Sequence, residues 1–265
     1  MRIGVSTSCF YPLETEKAFA MVAESSSPCT EIFFNAHCEL KPEFVHKLME
    51  IKQSSGIDVV SIHPTMSLCE SFMMFSAYER RLQEGLDEYR RYGEIAAQLG
   101  AKYVVMHGGK PNGVLDDLQY CERYMQIAEA TSQNGAVLLQ ENVVNYRAGN
   151  IPFLKMMQKQ LGDKVNFCMD VKQCIRGGYT PDDMIDAVGK NIRHLHISDN
   201  NSESDCMLPC RGNYDFKHLF ERMKSIGYKG DAVIEVYSQA YKEYEEMFTA
   251  LDCLNNTTFG AADEK

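Results

Sequence analysis

Eight short apolar runs punctuate the chain, at 2–6 (RIGVS), 30–34 (TEIFF), 57–63 (IDVVSIH), 102–107 (KYVVMH), 136–141 (AVLLQE), 164–170 (KVNFCMD), 192–197 (IRHLHI) and 231–236 (DAVIEV). Their β-branched and aromatic content, short length and Gly or charged flanks predict strands rather than buried helix. Between them, amphipathic stretches predict helices near 14–24, 42–55, 76–99, 114–134, 150–161, 181–188, 215–226 and 241–252. Pro42 and Pro181 stand where a first helical turn begins, and Thr180-Pro181-Asp182-Asp183 joins a cap, a proline and acidic charge. Gly56, Gly100, Gly135 and Gly227 close helices just before the next strand, as a left-handed terminal position prefers. The segment from Asn255 to Lys265 is polar and reads as a frayed tail.

Strands that alternate with helices imply a parallel sheet, because every crossover spans a helix. Eight such units close into a (β/α)8 TIM barrel, an α/β single domain over 1–254 with a tail at 255–265. The rival, an open doubly wound sheet, would carry a phosphate-binding fingerprint after its first strand, and GVSTSCFYP has no GxGxxG. The length of 265 residues suits one barrel with a core that needs no staples.

Composition narrows the function classes. The formal net charge of -10 opposes a phosphate backbone as partner, so no nucleic acid is expected. The opening MRIGVSTSCF reads as a strand entering a turn rather than a signal peptide, and no apolar run reaches membrane-spanning length. Several of the 10 cysteines lie in apolar runs, such as Cys168 in VNFCMD, and no pair of CxxC motifs occurs. CMLPC, with Cys206 and Cys210, does not make a zinc site. Reduced thiols and a cytoplasmic location are expected. The oligomeric state stays open.

The chemistry gathers where a barrel puts it, at the C-terminal ends of the strands. The apolar runs finish in His63, His107, Glu141, Asp170, His196 and Glu235, with Glu31 near the start of the second strand. Singly, His63 or His107 could be a core histidine, and Asp170 could cap the next loop. Together, several carboxylates at one barrel mouth are unfavourable unless a cation neutralises them. Three carboxylates and one imidazole suit one divalent ion, Mn²⁺, Mg²⁺, Co²⁺ or Zn²⁺, and leave positions open to substrate oxygens.

The ordered set SIHP, VVMHGG, LLQEN, MDVKQ, HLHISDN, LPCRGNYDF and VIEVY resembles the xylose isomerase-like barrels across nearly the whole chain. That family includes sugar phosphate isomerases and epimerases, ketose 3-epimerases, inosose dehydratase and, more distantly, endonuclease IV. The resemblance implies Glu141, Asp170, His196 and Glu235 as metal ligands, with Glu141 and Glu235 also the acid/base pair. Two positions depart from the pattern. The family often has DxxH where this chain has Gln173, and the DNA-repair members need an Asp-x-His where Ser204-Asp205-Cys206 stands. Both argue against a three-metal endonuclease.

The resulting expectation is a metal-dependent isomerase or epimerase of a small sugar or sugar phosphate. Glu141 and Glu235 would serve opposite faces of a cis-enediolate, with His63, His107, Gln173 and Arg211 contacting substrate. Lys172 and Arg211 could also meet a phosphate or carboxylate. An inosose-type dehydratase would need nearly the same residues, and abasic-site endonuclease activity is the more distant alternative.

Overall fold

The structure is a computed structural model that describes residues 1–64 and 69–259. Eight parallel strands close into a barrel in sequence order: β1 Ile3–Ser6, β2 Cys29–Phe33, β3 Asp58–His63, β4 Tyr103–Met106, β5 Val137–Glu141, β6 Phe167–Asp170, β7 Ile192–Ile197 and β8 Ala232–Ile234. Closure is direct, since Ile3, Gly4 and Val5 pair with Ala232, Val233 and Ile234. The expected (β/α)8 barrel is therefore the observed fold.

Helices α1 Thr15–Ala23, α2 Pro42–Ser55, α4 Glu79–Leu99, α5 Asp117–Ser132, α6 Ile151–Leu161, α8 Pro181–Val188, α9 Phe216–Ser225 and α10 Glu245–Phe259 follow strands one to eight. The longest illustrates why they form. In α4 the buried positions Leu82, Leu86, Tyr89, Tyr92, Ile95, Ala96 and Leu99 recur at helical spacing and make one apolar stripe against the strands. Each fully buried large side chain contributes about 1.5–3 kcal/mol. Gly100 then ends the helix at φ 70°, as expected from the sequence. Inside the barrel, Tyr103, Val105, Leu139 and Cys168 form a separate apolar plug, so the centre is packed and chemistry is confined to the strand ends.

Several expectations need correction. Two short helices, α3 Glu70–Met73 and α7 Val171–Arg176, were not anticipated. The last helix runs to Phe259, so Asn255 lies inside it, and 260–265 fall outside the described residues. Not all cysteines are free thiols. Cys210, in the loop after β7, is joined to Cys253 of α10, with Cα atoms 6.5 Å apart. Folding brings that loop onto the helix across 43 residues of sequence. Among the described residues, no helix is long and apolar enough to cross a membrane.

Candidate metal centre and active site

Strands β5 to β8 deliver four side chains to one point. Glu141 is the last residue of β5, Asp170 the last of β6, and His196 the penultimate residue of β7. Glu235 follows β8, held in register by its N–H donating to the Ile197 carbonyl at 3.0 Å. One donor atom from each lies within 4.8 Å of all the others. His196 Nδ1 is 3.3 Å from Glu141 Oε1, 3.4 Å from Glu235 Oε2 and 3.9 Å from Asp170 Oδ2. Ligands about 2.1 Å from one ion stand roughly 3–4 Å apart, so this set is already near coordination spacing.

The backbone and neighbouring side chains aim these groups. Asp170 caps α7 with Oδ1, which accepts from Gln173 N at 3.0 Å, and this leaves Oδ2 facing His196. Its own N–H donates to Asn142 Oδ1 at 2.7 Å. His196 Nε2 lies 3.0 Å from Glu31 Oε2, and Ser61 Oγ donates to the same oxygen at 2.8 Å. A proton on Nε2 toward Glu31 fixes the tautomer that leaves Nδ1 free as a ligand, as outer-sphere carboxylates commonly do. Burial pushes the Glu31 carboxyl up, but His196 and His194 hold it well below the ordinary carboxylate range.

The donor chemistry fits a hard or borderline divalent ion. Glu141, Asp170 and His196 are buried, and Glu235 is partly exposed. Glu141 Oε2 has no hydrogen-bond partner among the described residues, although His107 Nε2 is 3.0 Å away. Burial raises the Glu141 carboxyl, yet His107, His196 and His63 around it hold it well below the usual range. Asp170 goes the other way: burial drives it up, with Lys172 opposing and the charges of Glu235 and Glu141 reinforcing the rise. Three carboxylates against one imidazole at one point leave the cluster short of positive charge.

Part of that charge comes from Lys172, in the first turn of α7. Its Nζ pairs with both Asp170 Oδ2 and Glu235 Oε2, and its side chain is 3% exposed. Burial raises the Glu235 carboxyl, but the Lys172 ammonium and His196 outweigh it and hold the group below its ordinary value.

Above the cluster opens a cavity of about 320 Å³ lined by Ser8, Tyr11, Phe33, Asn35, His63, His107, Glu141, Lys172, Gln173, Glu235, Val236 and Tyr237. Of the four clustered residues, only Glu141 and Glu235 reach its wall, with Asp170 and His196 beneath. His63 is buried against Phe33, ring centroids 4.6 Å apart, and its Nε2 lies 3.1 Å from His107 Nε2. His63, His107 and Glu141 also form a second potential ligand group, and Glu31, His194 and His196 a third. Gln173 Oε1 accepts from Val144 N at 3.1 Å, which orients its amide at the cavity wall.

Arg211 does not join this set. It is half exposed and pairs with Glu246 of α10 at 2.6 Å. Asp205, where a repair enzyme would need an Asp-x-His, pairs with Arg176 at 2.6 Å, and Cys206 is buried. Sequence reasoning noted Glu31 without assigning it a partner and named Lys172 only for anion contact. It passed over Phe33, Ser8, Asn35 and Tyr237. A carboxylate inside the apolar run TEIFF was the available signal for Glu31. Nothing local distinguished the others.

A model of the xylose isomerase-like TIM barrel family matches residues 20–256. An uncharacterized protein of Methanocaldococcus jannaschii is 26% identical over 248 residues, covering 89% of this chain and 83% of that protein. Among solved structures, a D-tagatose 3-epimerase-like protein superposes with a TM-score of 0.75 at 22% identity, covering 97% of this chain and 99% of the other. The IOLI protein with a bound zinc atom superposes with a TM-score of 0.77 at 15% identity, covering 100% of both chains. With that family match spanning nearly the whole barrel and all four clustered side chains inside it, the chain belongs to the xylose isomerase-like TIM barrel family.

Proposed function

We propose that this chain is a divalent-metal-dependent isomerase or epimerase of a small sugar, with Glu141, Asp170, His196 and Glu235 holding the ion. The observation that carries the reading is the division of the cluster: four donor atoms within 4.8 Å, of which only the two glutamates reach the cavity. A bound divalent ion would supply Lewis-acid polarisation of a substrate carbonyl and its neighbouring hydroxyl. Glu141 and Glu235 then take a proton from the intervening carbon and return it, one on each side of a cis-enediolate. A likeness to a D-tagatose 3-epimerase-like protein and to a zinc-binding barrel is consistent with this assignment.

The lining favours a neutral sugar over a sugar phosphate. Lys172 is its one lysine or arginine among the described residues, and two carboxylates engage it. His63, His107, Asn35 and Gln173 offer hydrogen bonds for hydroxyls, and Phe33, Tyr11 and Tyr237 give apolar faces for a ring. Gln173 and Cys206 stand where the repair members place histidines, and Asp205 is paired with Arg176, which disfavours a nuclease reading.

The test is a panel of ketoses and their phosphates in deuterated water with Mn²⁺, Zn²⁺, Mg²⁺ or Co²⁺. Metal-dependent deuterium incorporation into a neutral ketose is expected. Incision of an abasic oligonucleotide that disappears in Glu141→Gln, without any sugar exchange, would contradict the proposal.

A further inference from the structure

Lys172 has no part in proton transfer as described, yet it is embedded in the cluster. Its Nζ contacts Asp170 Oδ2 and Glu235 Oε2, the same two oxygens that lie 3.9 and 3.4 Å from His196 Nδ1. Those oxygens face the point that a shared ion would occupy. An ion bonds such oxygens at about 2.0–2.6 Å. An ammonium held on the same pair would then sit within about 4–5 Å of it, where two cations repel strongly in a buried site. The two therefore compete for these oxygens.

The side chain also has somewhere to go. Lys172 carries a flexible four-carbon stem and lines the cavity, with the Tyr237 ring centroid 6.0 Å from Nζ. Withdrawal from the carboxylates would take the ammonium toward that ring and into the cavity it lines.

We propose that Lys172 is a tethered competing cation: it holds Asp170 and Glu235 together in the metal-free protein and gives up their oxygens when a divalent ion enters, so that the ion is bound weakly enough to exchange. The inference rests on the metal reading of the cluster. It accounts for how Asp170 and Glu235 stay together beside Glu141 without an ion, an arrangement that is unfavourable if uncompensated.

The experiment titrates Mn²⁺ by calorimetry into the metal-free full chain and into Lys172→Met and Lys172→Gln, and records thermal unfolding of each with and without Mn²⁺. Lys172→Met is expected to bind Mn²⁺ at least about tenfold more tightly than the wild type. Its metal-free form should melt lower, and Mn²⁺ should raise its Tm by more than it raises that of the wild type. Lys172→Gln keeps hydrogen-bond donors without charge and gives the same comparison should the methionine variant not fold unaided. Tighter binding in the variants beside a wild type that binds nothing would support the proposal in its strongest form. Equal or weaker binding by the variants, with the wild type binding, overturns it and leaves the metal site intact. No heat and no Tm shift in any of the three removes the metal site and this inference with it.

Discussion

At the N-terminal end of the barrel, Arg2 ahead of β1 reaches Asp58 of β3 and Asp231 ahead of β8, with the Arg2 side chain 43% exposed. At the C-terminal end, Glu141, Asp170, Lys172 and His196 are each 3% exposed or less, and Glu235 is 14%. Both ends tie strands together with charge, but water screens one set and not the other. The lower trio can lose a member and let solvent replace it. The upper set cannot, because each buried charge depends on the rest. Stability alone is served by the lower arrangement. The proposed metal centre gives the upper one a use that stability does not.

The widest gap between the ends should appear in turnover. Glu141→Gln and Glu235→Gln are each expected to reduce deuterium exchange by about 10³-fold or more, since an amide keeps an oxygen but cannot accept the proton. Near-normal exchange rates in either variant, measured by NMR on an accepted sugar, would remove that glutamate from the acid/base pair.

A smaller effect is expected in the pH dependence of the metal-free protein. Burial opposes, but Glu141, Glu31 and Glu235 raise His63, and Cys168 with Glu31 and Glu235 raise His196 well above the usual histidine value. A group raised in the folded state contributes stability that is complete below its unfolded value, about 6.5, and is lost as the pH climbs through the folded one. Asp170, raised to about 7, adds the same sign between its unfolded value and neutrality. Thermal unfolding followed by circular dichroism should therefore show Tm falling by several degrees from about pH 6 to pH 8.5. A Tm that rose over this range would contradict the charge assignment.

The smallest effect belongs to the lower end. Arg2→Ala is expected to cost about 1 kcal/mol, a few degrees in Tm, with exchange activity unchanged. A large loss of activity would mean that the two ends are coupled.

The sequence made some of these features readable and hid others for physical reasons. An apolar run that ends in a titratable residue is a strong signal: it placed Glu141, Asp170 and Glu235 at strand ends, and the structure keeps the first two there and sets Glu235 just beyond β8. The helices with full apolar stripes, such as α4, were equally plain. Helices α3 and α7, of 4 and 6 residues, are too short to display a period. The place of Lys172 in the cluster was hidden for that reason: a lysine two residues after an aspartate reads as solvated or free for an anion, until α7 turns it back onto Asp170 and Glu235. Glu31 could be seen but its contact with His196 could not, because 165 residues separate them in sequence. The Cys210–Cys253 pair had no local mark at all, since pairing among 10 cysteines is not written in their spacing.

The central claim is one ion on four named ligands, and the most direct measurement is anomalous-difference crystallography of the protein soaked in Mn²⁺. The account predicts one strong peak per chain, about 2.0–2.6 Å from Glu141, Asp170, His196 and Glu235, with Lys172 Nζ no longer bridging Asp170 and Glu235. No peak there, or one held instead by His63 and His107, would contradict it.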